Sequence, residues 1–363
     1  KIHIKFAVID WTRMGIYPRI EAEMSESKKI DLPIYRATGI KKYFPVTGGI
    51  LRRTIGQVKA LDGVDLYIYR SETISIIGES GCGKTTLGRM LAVLQKPTAG
   101  ELVFDFGRGL ERVENLERTE ELEFRKKVQM IFQDPYTSFN PRQRVGAAMN
   151  EVLEVHGMED SEERFTRIKE ACEMVNMRVE YLQRYPHEFS GGQRQRLAIA
   201  RCLAVKPELI IADEIVSALD VSIQAQIINL LRQIQKETGL SFVFITHDVA
   251  VARYVGHRIA VMYLGSVVEI LPAEALPKAA EHPYTIALLS AVPDMSVGVH
   301  KKQVILHGEV PSPIDVPTGC AFSTRCPFVM DICKTQRPVL RNSSDNRSDH
   351  QVACHLDKPP IGA

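Results

Sequence analysis

The sequence predicts an α/β protein with a parallel central sheet, an inserted helical subdomain and a small C-terminal module. A glycine-rich loop at 78–86 separates an apolar, β-branched strand pattern at 73–77 from a helical pattern that begins near Leu87. Two further apolar runs, at 209–212 and 242–246, are typical of buried parallel strands. Strands that alternate with helices in this way favour an α/β core.

The remaining elements follow from the periodicity of the apolar residues. In chain order they are a strand at 59–69, an exposed polar loop at 105–123, a strand at 128–132, a helical block at about 140–205, a helix at 223–234 and a hairpin at 261–270. We therefore predict an N-terminal extension at 1–33, a main domain at 34–270 and a Cys-containing module at 271–363. Met24, inside the extension, is a candidate natural start.

Composition excludes several classes of protein. The 363 residues are 45% apolar and 25% charged, which is typical of a globular chain. The formal net charge of +2 gives no electrostatic argument for a nucleic acid or lipid partner. No run of about 18 apolar residues is present, so we expect any attachment to a membrane to go through other proteins.

The glycine-rich loop fits the phosphate-binding pattern G-x-x-x-x-G-K-[ST]. Its backbone N–H groups, followed by a helix N-terminus, would surround phosphate oxygens. Lys84 would reach the β- and γ-phosphates of a nucleotide, and the Thr85 hydroxyl would ligate Mg²⁺. The other predicted members of this cradle are Gly78, Ser80, Gly81, Cys82, Gly83 and Thr86.

Two adjacent carboxylates follow the apolar strand at 209–212. Asp213 would lie at the carboxyl end of a parallel strand, where α/β proteins bind ligands, and would hold Mg²⁺. Glu214 is the predicted general base for the attacking water. An Asp-Glu pair at a strand end is common, but its place after a phosphate loop favours catalysis.

A second helix start carries the pattern of an anion site. Ser190 is a natural N-cap, and Gly191 and Gly192 leave the next N–H groups bare before Gln193. The alternative is an ordinary capped helix. One nucleotide does not need two cradles, so the second one would serve the nucleotide of a partner.

The glycine loop and the segment Phe189-Ser190-Gly191-Gly192-Gln193 together resemble the ATPase subunits of ATP-binding-cassette (ABC) transporters. The resemblance covers roughly residues 34–357 and is closest to the second, F-type ATPase of the oligopeptide/dipeptide importers. The stretches that carry it are residues 41–46, 82–84 with 87–89, 134–141 and 217–226. It implies that two subunits sandwich two ATP molecules head to tail.

The resemblance also implies roles for single residues. Gln133 would sense Mg²⁺ and touch the membrane subunit, His247 would contact the γ-phosphate, and Asp220 would communicate between the two sites. Tyr43 would stack on adenine, with Phe44 as the alternative. Ile215 stands where the family usually has proline after the catalytic glutamate. Because Glu214 is retained, we expect hydrolysis to survive, with its rate open to change by Ile215.

Four of the seven cysteines cluster near the C-terminus, at Cys320, Cys326, Cys333 and Cys354. Their spacing contains no C-x-x-C pair and does not fit a standard zinc pattern. Four thiolates suit a [4Fe–4S] cluster, and the importer resemblance implies a module that can carry one. Zinc and free thiols are the alternatives, and a nearby histidine could replace one ligand.

The sequence thus predicts the energy-coupling ATPase of an ABC importer for di- and oligopeptides, with oligosaccharides or nickel as related solutes. Implied partners are a second ATPase, two permeases and an extracellular solute-binding protein, without nucleic acid. The expected place is the cytoplasmic face of the membrane, as a peripheral subunit. Rival hypotheses are a soluble ABC ATPase acting on DNA or ribosomes, and a P-loop kinase.

Overall fold

The computed structural model describes residues 32–48, 53–134, 138–276, 278–290, 306, 308–344 and 347–357. The predicted N-terminal extension lies outside these ranges, apart from Leu32 and Pro33. The extension therefore stays a prediction.

The chain begins with an antiparallel pair of strands, and helices separate most of the later strands. The strands are β1 (Tyr35–Gly48), β2 (Arg53–Ile68), β3 (Thr73–Ile77), β4 (Ala99–Asp105), β5 (Leu110–Arg112), β6 (Val128–Ile131), β7 (Leu209–Asp213), β8 (Ser241–Ile245), β9 (Arg258–Tyr263), β10 (Ser266–Pro272), β11 (Arg341–Asn342) and β12 (Gln351–Val352). The α-helices are α1 (Lys84–Leu91), α2 (Arg118–Lys127), α3 (Val145–Val155), α4 (Ser161–Met174), α5 (Gly191–Ala204), α6 (Val221–Thr238), α7 (Val249–Val255), α8 (Pro283–Ser290) and α9 (Asp331–Thr335).

The large sheet has the strand order β11-β12-β10-β9-β3-β8-β7-β6. Its five strands from β9 to β6 run parallel to one another, and β10, β12 and β11 continue it in antiparallel pairs. Every residue of β3, β7 and β8 is buried. Helix α1 packs on β7 and β8, and α7 packs on β3. This burial is why the strands appear in the sequence as continuous apolar runs.

The predicted strand at 73–77 is confirmed as β3, and the hairpin at 261–270 is confirmed as the antiparallel pair β9–β10. The helix after the glycine loop is shorter than its apolar spacing suggested. It ends at Leu91, because the backbone turns left-handed at Val93 (φ 52°), and Leu94 is exposed.

The prediction of an exposed loop at 105–123 was wrong. Strand β5 pairs with β4, and α2 begins at Arg118 after a capping box between Glu117 and Glu120. Phe124 of this helix packs at a right angle on Phe104, with ring centroids 5.5 Å apart. The polar residues of α2 are themselves helix formers, and the Phe124 contact fixes the helix on the core.

Helices α3, α4 and α5 pack on one another and lie within the predicted helical subdomain at about 140–205. The C-terminal residues are joined to the main sheet, because Gln351 and Val352 of β12 pair with β10. The described residues from Leu32 onward accordingly form one compact unit. The domain boundary at 270 falls inside β10 and stays a prediction.

Replacing Phe124 by alanine should lower the free energy of unfolding by about 3–5 kcal/mol, because it removes a fully buried ring from the aromatic cluster. Urea denaturation of the purified protein measures this change. Leu122→Ala, on the exposed side of the same helix, is the matched control and should change it little. Equal effects of the two variants would contradict the packing of α2.

Candidate active site

The glycine loop connects β3 to α1 in a tight turn. Gly83 has φ +106°, and a Cβ at this position would lie 2.3 Å from the carbonyl oxygen of Ala60, so only glycine fits. Nζ of Lys84 donates to the carbonyl oxygens of Gly78 and Glu79, at 2.9 and 3.0 Å. The lysine side chain is therefore folded over the loop that precedes it.

The other cradle residues differ in exposure. Ser80 and Gly81 are exposed at the tip of the loop, and Thr86 is half-buried on the first turn of α1. Cys82 is buried, and burial raises the pKa of its thiol. It can thus serve a ligand through its backbone and not through a reactive thiolate.

Thr85 and Asp213 bring two oxygen ligands together. Oγ1 of Thr85 donates to Oδ1 of Asp213 at 3.1 Å, which links the start of α1 to the end of β7. Asp213 is 2% exposed, and burial raises its pKa, with a smaller contribution from the charge of Glu214. Hydroxyl and carboxylate oxygens are the ligands that Mg²⁺ prefers, and a cation here would offset the buried charge. These residues fit the predicted metal.

The predicted catalytic residues Gln133 and His247 both lie close to the carboxylate of Glu214. Glu214 has a left-handed φ of 48°, and its N–H donates to the carbonyl oxygen of Ile245 at the end of β8. Nε2 of Gln133 donates to Oε2 of Glu214 at 3.1 Å, and Nδ1 of His247 lies 3.7 Å from the same oxygen. Backbone strain of this kind is concentrated at active sites. The structure thus brings all three residues together.

The signature segment forms a capped helix start on α5. Oγ of Ser190 accepts from the N–H of Gln193, and Oε1 of Gln193 accepts from the N–H of Ser190. A Cβ at Gly192 would lie 2.6 Å from Cγ2 of Ile223, so the helix start packs closely on α6. Exposed Asp220 caps α6 without a side-chain hydrogen bond, which leaves its carboxylate available.

Tyr43 is tied into a polar cluster that sequence reasoning missed. Its hydroxyl donates to Oδ1 of Asp62 at 2.5 Å, and Nη1 of Arg337 donates to Oδ2 at 2.6 Å. Burial and the bond to Asp62 raise the pKa of Tyr43 to about 12. The alternative, Phe44, is half-buried under Nζ of Lys42. Stacking on adenine stays a prediction for both rings. No sequence motif could have indicated the contact between Asp62 and Arg337, because 275 positions separate them.

The four C-terminal cysteines line one small cavity of about 10 Å³, together with residues that include His282 and His355. Burial raises the pKa of both Cys320 and Cys326 to about 11. Among the residues that the structure describes, no group of three or more His, Cys, Asp or Glu side chains is placed to hold a metal ion. A cavity of this size has room for about one water molecule. The four predicted iron–sulfur ligands therefore lie around one cavity but are not placed to bind a metal ion. The structure does not support the cluster.

Fold and site together define a P-loop ATPase with a parallel core and an inserted helical subdomain. The family described as ABC transporter matches residues 61–217, and the family described as oligopeptide/dipeptide transporter, C-terminal region, matches 268–333. The chain is 44% identical to the dipeptide transport ATP-binding protein DppF of Haemophilus influenzae, over 92% of this chain and 100% of that protein. It is 46% identical to the oligopeptide transport ATP-binding protein AppF of Bacillus subtilis, over 87% and 95%. The chain belongs to this family of ABC transporter ATP-binding proteins.

A solved structure supports the same fold. The dimeric ATP-binding cassette MJ0796, in a post-hydrolysis state with ADP and Pi, covers 66% of this chain and 98% of its own at 30% identity and a TM-score of 0.57. Within the described part of the chain, the helices are too short or too polar to cross a bilayer.

Replacing Glu214 by glutamine should lower the steady-state rate of ATP hydrolysis by about a hundredfold or more, because an amide cannot accept the proton of the attacking water. Equilibrium binding of ATP should be kept. A phosphate-release assay, with nucleotide titration beside it, measures both quantities. Glu274→Gln, an exposed carboxylate after β10, is the control. Full activity of the Glu214 variant would assign the general base elsewhere.

Proposed function

We propose that this chain is the ATP-hydrolysing subunit that drives uptake of di- and oligopeptides through an ABC importer. The observation that carries the proposal is the convergence of Gln133, Glu214 and His247 in a chain that also has the peptide-transporter C-terminal region. Relatives named for dipeptide and oligopeptide transport support the choice of solute. The DNA- or ribosome-directed alternative and the kinase are not favoured.

Each residue of the candidate active site has a proposed role in hydrolysis. Lys84 and the loop N–H groups would bind the β- and γ-phosphates, and Mg²⁺ held by Thr85 and Asp213 would neutralise phosphate charge. Glu214 would take one proton from water as the water oxygen attacks the γ-phosphorus and ADP leaves. Gln133 donates to the Glu214 carboxylate, His247 lies 3.7 Å from it, and both would orient the water.

The signature segment and Asp220 are proposed to complete the nucleotide site of a sister ATPase. The bare N–H groups after Ser190 would meet the γ-phosphate of the partner's ATP, as helix N-termini meet anions. Support comes from the capped helix start itself, where Ser190 is exposed and Gly192 packs against Ile223 of α6. In this proposal ATP closes the dimer and hydrolysis opens it.

The proposed assembly contains this ATPase, a second one, two permeases and an extracellular solute-binding protein. The subunit would sit at the cytoplasmic face of the membrane without nucleic acid. The proposed division of the chain stays at 34–270 for the ATPase domain and 271–363 for the C-terminal module. Gln133, exposed on its edge of the site, would report the state of the nucleotide to a permease.

Affinity purification of the native protein from gently solubilised membranes tests the assembly. We expect two permeases and a second ATPase in the mass spectrum, and ATP-dependent uptake of labelled dipeptides by vesicles that contain the complex. Vesicles with the Glu214→Gln subunit are the control and should not accumulate peptide. Recovery with ribosomes or DNA, or uptake of another solute alone, would contradict the proposal.

For the C-terminal thiols we propose a metal-binding role, with a [4Fe–4S] cluster first and zinc second. The proposal rests on the fact that four cysteines line one cavity and that thiolates are the ligands of such clusters. Because the described side chains lack ligand spacing, binding would require them to rearrange.

Protein prepared without oxygen should contain iron and sulfide at about four of each per chain. Cys326→Ser should lose both, whereas Cys172→Ser, in the helical subdomain, should keep them. Elemental analysis and the visible absorption spectrum measure the content. Stoichiometric zinc without iron would replace the cluster by a zinc site, and metal-free protein would leave four free thiols.

A further inference from the structure

The phosphate loop is held from outside by a residue of the C-terminal region. Arg325 donates from Nη1 to Oε2 of Glu79 at 2.9 Å and from Nη2 to Oε1 at 3.2 Å. Glu79 is the second residue of the loop, and 246 positions separate the pair. The Arg325 side chain is 9% exposed, against 30% for Glu79. The contact is therefore a two-pronged ion pair at the edge of the nucleotide site, with the guanidinium largely removed from water.

The backbone of Glu79 is held from the same region. Its N–H donates to the hydroxyl of Tyr284, at the start of α8, at 2.9 Å. Tyr284 is fully buried and packs on Tyr263 and Phe322, with ring centroids 4.7 and 5.5 Å away. Nη1 of Arg325 lies 3.5 Å from the hydroxyl of Tyr263. Arg325 and Tyr284, which both bond to Glu79, thus both contact the same aromatic cluster.

Glu79 also contacts the lysine of the loop, because its carbonyl oxygen accepts from Nζ of Lys84 at 3.0 Å. Glu79 therefore bonds to Arg325 through its side chain, to Tyr284 through its N–H and to Lys84 through its carbonyl oxygen. A change in the position of Glu79 would change the loop and the lysine together. Arg325 precedes Cys326, which lines the four-thiol cavity, so the same short segment belongs to both features.

We propose that Arg325 and Tyr284 are positioning residues for the phosphate loop, through which the C-terminal region sets the affinity for ATP. The two residues hold Glu79, and with it Lys84, in the phosphate-binding arrangement before the nucleotide arrives. Pre-organised groups bind more tightly, because less conformational freedom is lost on binding. The inference rests on the proposed ATPase function and deepens it.

Arg325→Ala should raise the KM for ATP and the Kd for ADP by roughly tenfold, since a hydrogen-bonded charge pair is lost from the loop. The kcat should change less than KM. Arg325→Lys keeps the charge but not the two-pronged geometry, and it should restore part of the affinity. Lys334→Ala breaks an exposed ion pair in the same region and is the matched control, with unchanged KM.

Tyr284→Phe is the second variant, because it removes only the hydroxyl that accepts from Glu79 and keeps the buried ring. It should weaken ADP binding in the same direction as Arg325→Ala. Thermal unfolding without nucleotide checks that both variants are folded. Unchanged KM and Kd in both, or a fall in kcat alone that follows a loss of folded protein, would overturn the positioning role. Wild-type protein that binds no ATP would instead refute the proposed function.

Discussion

The parallel pairing of β3, β8, β7 and β6 is the constraint on which the site depends. The phosphate loop follows β3, Asp213 ends β7, His247 follows β8 and Gln133 follows β6. Because the strands are parallel and in register, their carboxyl ends meet at one edge of the sheet. Residues separated by more than a hundred positions are thus within hydrogen-bond reach. A shift of β7 against its neighbours would move Glu214 away from Gln133 and His247.

The left-handed backbone at Glu214 shows how this edge is used. A strand that continued straight would send successive side chains to opposite faces. The turn at φ 48°, held by the N–H bond to Ile245, releases the carboxylate toward Gln133 and His247. Ile215, which follows, is 2% exposed and packs in the core, so it anchors the turn. The position that departs from the family's proline is therefore occupied by a residue with a packing role.

The C-terminal region packs directly against the rest of the described chain as part of the same compact unit. It adds β12 to the large sheet. Arg337 forms an ion pair with Asp62 near Tyr43, and Arg325 forms an ion pair with Glu79. Arg337 thus shares Asp62 with the ring that is predicted to stack on adenine, and Arg325 contacts the phosphate loop. Of these contacts, the one between Arg325 and Glu79 comes from the part of the chain that matches the peptide-transporter C-terminal region.

The sequence alone determined the chemistry, because each functional motif is local. The loop at 78–86, Asp213 with Glu214, and the capped start at Ser190 are patterns of neighbouring residues, and apolar runs marked the buried strands. Only the tertiary structure decided the joints between distant segments. Phe124 of α2 packs on Phe104, and Glu79 pairs with Arg325 across most of the chain. Such pairs leave no periodic trace in the sequence, since each is created by the way the sheet brings its edges and loops together.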